Sequence, residues 1–482
     1  MKALTTIVVS GLLSNGCVTD DLVASDTSAL DDVIARRCDD PTRLPNNTPI
    51  ADASGEFTTV SSRGYIDLAN EFFQDLGRNG RRCVSCHVPT VGWTITPAQL
   101  QATFDATRGG ELADRFGLGA AFRTNDGANS PNADVSTLAS RRTAYSMLLG
   151  RGLIRVGLPI PATAEFELVA VDDPYHYASA AELSLFRRPL PTANLKFDST
   201  VMWDGREVVP GATVTSELLT QASDATTGHA QGSPLSAAQR DSIVQFETAI
   251  ATAQIYDLRA HDLGGDGATG GPNAILAQPF YVGINDNLGD SLTGAPFTPI
   301  VFTVFDAWMQ SNVAVTDTRT AEARRSIVRG QQLFNTRPIA ISGVSGINDE
   351  PIFGRPPTLV GTCTTCHDTP NGGNHSVVAP LDIGLVDASR RTPDMPLYTL
   401  RNKTTGELRQ VTDPGRALVD GKWSHIGRFK GPMLRDLAAR PPYFHNGFAA
   451  DLDAVVAFYD TRFAIGLSAQ DKSDLVAFLR SL

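Results

Sequence analysis

The sequence predicts a mainly α-helical protein with long loops and insertions. Three observations point there. Few segments alternate apolar and polar residues at period two, several stretches repeat apolar residues every three or four positions, and many of the 42 glycines and 29 prolines fall in the stretches between them. At 482 residues the chain is long enough for two or three domains with a sizeable core.

Taken in chain order, Met1-Lys2, an apolar stretch from Ala3 to Leu13 and the small residues before Cys17 have the build of a secretory signal over residues 1–16, too short to span a bilayer. Cys17 is placed to accept a lipid, although Leu13 stands one position too far from it for a good lipobox; unmodified, it would be free to pair with Cys38 in an oxidising compartment. Residues 17–62 are rich in Asp, Thr, Pro and Asn without periodicity and read as an irregular arm. Leu68, Phe72, Phe73 and Leu76 recur at helical spacing until Gly77 and Gly80 end the run. The stretch from Arg151 to Val171, with Glu165-Phe166-Glu167-Leu168-Val169, suggests a short hairpin. Gly264 to Pro299 reads as a surface connection; Asp262 and Asp266 lack the later acidic ligand of an EF-hand, which leaves a plain loop. A second helix is expected from Ala321 to Asn335, and a third carries Leu452, Val455 or Val456, and Tyr459 on one face. Ser468 and Asp471 form a capping box for the last helix, striped by Leu475, Phe478, Leu479 and Leu482. No segment after the N-terminus is apolar for long enough to cross a membrane.

The chemistry is carried by two copies of one pentapeptide, Cys83-Val84-Ser85-Cys86-His87 and Cys363-Thr364-Thr365-Cys366-His367. In such a motif both thiols add to the vinyl groups of a haem while the histidine ligates its iron. The competing reading, a tetrahedral four-thiolate zinc site, gives no reason for a His after each second Cys. Both motifs follow a helical lead-in, so the chain reads as two cytochrome c-like haem domains, residues 63–315 with a large insertion and residues 316–482, holding two covalently bound haem c groups. The net charge of −11 opposes nucleic acid or an anionic membrane as partner; it suits a basic electron carrier, and equally a solvated acidic surface. Export also suits the covalent attachment of haem.

Two further motifs bring a family into view: Met202-Trp203-Asp204-Gly205-Arg206 followed by Gln221-Ala222, and Phe429-Lys430-Gly431-Pro432-Met433-Leu434-Arg435 running into Pro442-Tyr443-Phe444-His445-Asn446-Gly447. In this order around the two haem motifs, the chain from about Arg63 to Leu482 resembles the bacterial dihaem cytochrome c peroxidase and MauG superfamily, with a large extra segment before Trp203. The resemblance implies a reactive first haem, a second haem serving as electron reservoir, and Trp203 between them; a buried core Trp is the alternative. Tyr459 falls where peroxidases of the family carry the Met ligand of the second haem and where MauG-like members carry Tyr. As an iron ligand it would lower the potential, and otherwise it packs beside the porphyrin. Met433 stands where relatives have Ser or Thr.

The clearest departure concerns the acid-base Glu that the family places about ten residues after the Gln matched by Gln221. Here Gln231 occupies that place and cannot exchange a proton. His229, two residues earlier, can; ligation of the first iron and a plain surface position are its other readings. The candidate catalytic set is therefore His229, Gln231, Trp203 and Gln221. Arg206 and Arg435 suit haem propionates, His445 belongs to the turn between the haems, and His176, His261, His375 and His425 have no motif support. The family also holds a calcium ion between its domains. The carbonyls of Arg440 and Pro442 match two of its ligands, with Arg440 in place of the usual Thr.

These features imply an exported, periplasmic, peroxidase-like oxidoreductase that reduces peroxide at the haem of His87 with electrons relayed from the haem of His367 and supplied by a small redox carrier. The mature chain would carry no transmembrane helix, with lipid on Cys17 as the one anchor left open. A MauG-like or oxygenase-type oxidation of an organic or protein substrate by peroxide or dioxygen, and a non-enzymatic electron-transfer cytochrome, are the alternatives.

Overall fold

The computed structural model describes residues 40–309 and 317–482. The signal segment, Cys17, Cys38 and the expected boundary at 315/316 lie outside the described residues. The described chain begins with strands β1 (Arg43–Pro45), β2 (Ile50–Ala51), β3 (Gly55–Ser61) and β4 (Tyr65–Asp67), followed by helices α1 (Pro97–Thr107), α2 (Leu138–Ala144) and α3 (Ser146–Arg151). Next come β5 (Ile154–Leu158), β6 (Phe166–Asp172), β7 (Leu183–Arg187), α4 (Val214–Gly228), α5 (Ala237–Ala249), β8 (Ile250–Asp257), β9 (His261–Asp262) and α6 (Pro272–Ala277). The last part contains α7 (Thr318–Thr336), β10 (Ile339–Ile341), β11 (Leu359–Gly361), β12 (Leu397–Asn402), β13 (Leu408–Val411), α8 (Ala417–Asp420), α9 (Leu452–Phe463) and α10 (Ala469–Arg480).

The protein is 31% helix and 16% strand, a mixed α/β fold and not the mainly α one that the sequence suggests. The strands escaped because alternation needs one wet face, and β3, β7 and most of β8 are buried on both. Residues 43–61, read as an irregular arm, supply β1 to β3; β3 pairs with β8 in a four-stranded antiparallel sheet ordered β2-β3-β8-β9. The expected local hairpin between 151 and 171 does not form. Instead β5 pairs with β7, while β6 pairs with β12 from Leu397↔Asp172 to Asn402↔Phe166, with β13 on the far side. The helix expected over Leu68 to Leu76 shrinks to one 3₁₀ turn at Glu71–Phe73, capped by the Asn70 side chain and burying both phenylalanines.

Three apolar cores matter for the site. One joins Phe72, Phe73, Trp93, Phe104 and Phe246, with Cys83 and Cys86 at its edge. A second joins Phe302, Phe305, Phe334 and Phe478, with Cys363 against it. A third, built from the β6, β7, β12 and β13 region, includes Phe166, Leu185, Tyr398 and Phe429 and packs against Trp203.

Helices α7 and α10 formed as the sequence indicates, the latter with Ser468 Oγ accepting from the Asp471 amide at 3.1 Å and Asp471 accepting from the Ser468 amide at 3.0 Å. They cross closely enough that a Cβ on Gly330 would lie 2.0 Å from the Asp474 carbonyl oxygen. Gly330→Ala is therefore expected to force the helices apart and cost ~1–3 kcal/mol, visible as a lower denaturation midpoint.

Candidate functional site

The first pentapeptide forms a 3₁₀ turn at Cys83–Ser85, closed by Ser85 Oγ accepting from the Arg82 amide at 3.0 Å and by the His87 amide donating to the Cys83 carbonyl at 3.0 Å. Its thiols and imidazole line a cavity of about 190 Å³. His87 Nδ1 lies 3.3 Å from the Trp93 carbonyl, a contact that assigns the proton to Nδ1 and leaves Nε2 free as a ligand. Burial holds this imidazole at about 4, hence neutral, and pushes the Cys83 and Cys86 thiols up.

The second motif repeats the arrangement around a cavity of about 200 Å³. His367 Nδ1 donates to the Gly373 carbonyl at 2.5 Å, burial takes His367 to about 4, and Cys363 and Cys366 are pushed up to about 12. The four motif cysteines are unpaired. Because the two pairs line separate cavities, no four-thiolate site forms, and among the described residues no three His, Cys, Asp or Glu side chains gather as a metal cluster. Two unpaired thiols beside a neutral imidazole with one free nitrogen are the donor set that covalent haem requires, and each cavity supplies it in a mostly apolar wall.

Trp203 lines both cavities. Its indole N–H donates to the Arg188 carbonyl at 2.7 Å, and His445, stacked on Phe429 with ring centroids 4.0 Å apart, meets its ring edge-on. The next residue fixes the segment. Asp204 is fully buried and accepts from Arg187 at 2.6 Å and Arg206 at 3.0 Å, while Arg187 also grips Asp413 through two bonds of 2.7 and 2.9 Å. Burial alone would raise Asp204, but the two cations overcome it and take it down to about 2.

No protein-family model matches the chain. Among curated proteins it is 30% identical over 132 residues to the cytochrome-c peroxidase IdrP2 of Denitromonas iodatirespirans, and 30% identical over 140 residues to the cytochrome-c peroxidase IdrP1 of Pseudomonas sp. (strain SCT). Each match covers 25% of this chain and 36% of the relative, so the chain spans about a third of the length of the curated relatives it matches. The matched stretch is similar to cytochrome-c peroxidases, which supports the resemblance to the dihaem cytochrome c peroxidase and MauG superfamily. Among solved structures it is similar to a MauG-like protein associated with microbial copper homeostasis, at 16% identity, a TM-score of 0.38, and coverage of 92% of this chain and 94% of that one.

Around the first cavity, His229, Gln221, Arg206 and Trp203 all line the wall. Gln231 does not: it is solvent-exposed at φ 54° and stands outside the lining. His229 caps the C-terminus of α4, its amide donating to the Ala225 carbonyl at 2.8 Å. Its side chain is 40% exposed, and Nδ1 is hydrogen-bonded to Asp126, which also pairs with Arg81. Although the ring is partly exposed, its desolvation in the cavity wall, with Arg81 and Arg206 nearby, lowers His229 to about 4. Asp126 and Arg81 went unnoticed in the sequence because neither sits in a motif and they are joined only by the fold. The same holds for Glu247, a buried carboxyl in this lining that burial pushes up to about 8.

In the second cavity Tyr459 projects from α9 beside Cys363, Cys366 and His367. Phe463 stacks on its ring at 6.3 Å, burial pushes its phenol up, and its hydroxyl has no hydrogen-bond partner among the described residues. Arg435 lines neither large cavity. It is buried, with Nε donating to the Asn371 carbonyl at 2.7 Å and Nη1 without a partner. His176, His261, His375 and His425 are likewise absent from both linings.

Proposed function

We propose that this protein is a peroxidase-like oxidoreductase with two covalent haem c groups, one held by Cys83, Cys86 and His87 within residues 63–315 and one by Cys363, Cys366 and His367 within residues 316–482. The observation that carries the reading is a neutral histidine, His229, anchored through Nδ1 on Asp126 and lining the cavity of the first haem motif. A haem held by Cys83, Cys86 and His87 would supply electrons for cleavage of the O–O bond. His229 Nε2 takes the proton of the incoming hydrogen peroxide and returns it to the departing oxygen, so that two electrons and two protons convert one peroxide into two waters. The Nδ1 bond to Asp126 fixes the ring and its tautomer during both transfers. Trp203, touching both cavities, stands on the electron path from the second motif, and Arg206 on the first cavity wall suits a propionate. A small redox carrier supplies the electrons, and residues 1–16 direct the chain out of the cytoplasm. Among the described residues no helix is long and apolar enough to cross a membrane.

A pH profile of peroxide turnover tests the base. With His229 held near 4, it stays unprotonated through pH 5, so kcat/KM is expected to stay level from pH 8 to about 5 and to fall toward 4. A fall centred near the ordinary histidine value of about 6.5 would contradict the assignment.

Tyr459 favours a second reading, MauG-like oxidation of an organic or protein substrate, because an unpartnered phenol beside the second haem motif is free to ligate iron. Tyr459→Met is expected to introduce the thioether-to-iron charge-transfer band, and an unchanged visible and near-infrared spectrum would remove Tyr459 from the ligand set.

A further inference from the structure

The superfamily's interdomain calcium does not fit this protein. The Arg440 carbonyl, one of the two matched ligand positions, already accepts from Arg188 Nη2 at 3.3 Å. The same nitrogen donates to the Ile95 carbonyl at 2.8 Å, and Nη1 donates to the Arg151 carbonyl at 3.1 Å. One guanidinium thus gathers carbonyls from three distant segments: the stretch after the first haem motif, the end of α3, and the turn that follows the second motif. The pocket is built for it. Arg188 is buried, and Gly152, at φ 63°, leaves room where a Cβ would lie 2.7 Å from Nη1. A second cation stands beside it, since Arg440 donates through Nη2 to the Met433 carbonyl at 2.6 Å and through Nε to the Asp436 carbonyl at 3.1 Å. Burial and the neighbouring Arg440 pull Arg188 down to about 9, opposed by Tyr443, which leaves it charged at neutral pH. Asp436, the carboxyl beside Arg440, is itself pushed up to about 7 by burial and by Asp52, against the pull of Arg440. An added calcium would face two guanidinium charges and, at Arg440, a carbonyl that Arg188 already donates to.

We propose that Arg188 is the built-in cation of this junction, taking the place of the calcium ion so that the region around Trp203 assembles without a divalent metal. The same residue orients the bridging indole, because its carbonyl accepts the Trp203 N–H at 2.7 Å and its amide donates to the His445 carbonyl at 2.7 Å. The inference rests on the resemblance to the superfamily and not on peroxide chemistry, and its readouts are calcium binding and thermal stability.

The test uses the haem-loaded protein after passage over a chelating resin. Calorimetric titration with calcium chloride is expected to show no stoichiometric binding, and the melting temperature is expected to agree within ~1 °C in millimolar calcium and in chelator. One calcium bound per chain, or a chelator-sensitive melting temperature, would overturn the proposal. Arg188→Met keeps the apolar stem and removes the charge and donors; it is expected to lower the melting temperature by ~5 °C or more, and Arg188→Lys to recover part of the loss. Equal losses in both variants would assign the role to shape and not to charge, which also overturns it. If Arg188→Met does not fold, the calcium titration of the unmodified protein decides alone.

Discussion

Replacing Arg187 by methionine is expected to cost about 3–5 kcal/mol of stability, the largest single loss in the molecule outside the haem ligands. The side chain is 2% exposed and sits between Asp204, which is 0% exposed, and Asp413, which is 4% exposed. With the guanidinium gone, Asp204 keeps only Arg206, a partner that reaches solvent, and Asp413 loses its two-bond partner. Lysine should not rescue, because a point charge cannot serve both carboxylates in the forked geometry seen here. The pH dependence follows from Asp204. Its folded value near 2 lies below the ordinary carboxylate value, so its contribution is fully present above about pH 4 and is lost as the pH falls toward 2. The Met variant should lose that acid-range dependence together with its stability. Denaturant unfolding of the haem-loaded protein reads both, and a loss below about 1 kcal/mol would show that the pair is replaceable. Because Asp204 adjoins Trp203, the variant also tests whether the indole between the cavities depends on this ion network.

His229→Ala is expected to lower kcat/KM for hydrogen peroxide by 10²- to 10⁴-fold, the usual range for a positioned acid-base group, at unchanged haem content. Gln231→Ala should stay within about twofold of the unmodified protein, because its side chain is exposed and outside the cavity. The pair separates two readings of the same stretch of chain. If His229 were instead a ligand of the first iron, its removal would open that iron: the electron paramagnetic resonance spectrum would gain a high-spin signal, and peroxide would react faster.

The parts of this protein that were legible in sequence are the local ones. Each haem motif closes its own turn within five residues, and α10 announces itself through Ser468, Asp471 and a four-residue apolar stripe. The Trp203 segment was legible as a motif, although what fixes it, Arg187 with Asp413, spans more than two hundred positions. The fold class was misread for a related reason. β6 finds its partner β12 only across the whole second haem motif, and strands such as β7 show no wet face from which alternation could be counted. At the first cavity, spacing pointed to Gln231 while chemistry pointed to His229; Asp126, which orients His229, has no sequence signature because it lies 103 residues away in the insertion.

The most direct test of the central claim is to mix the fully reduced, haem-loaded protein with one equivalent of hydrogen peroxide in a stopped-flow instrument and follow the Soret band. The account predicts rapid oxidation of both haems, two electrons consumed per peroxide, and a rate lowered at least 10²-fold in His229→Ala. No oxidation by peroxide, or an equal rate in the variant, would contradict it.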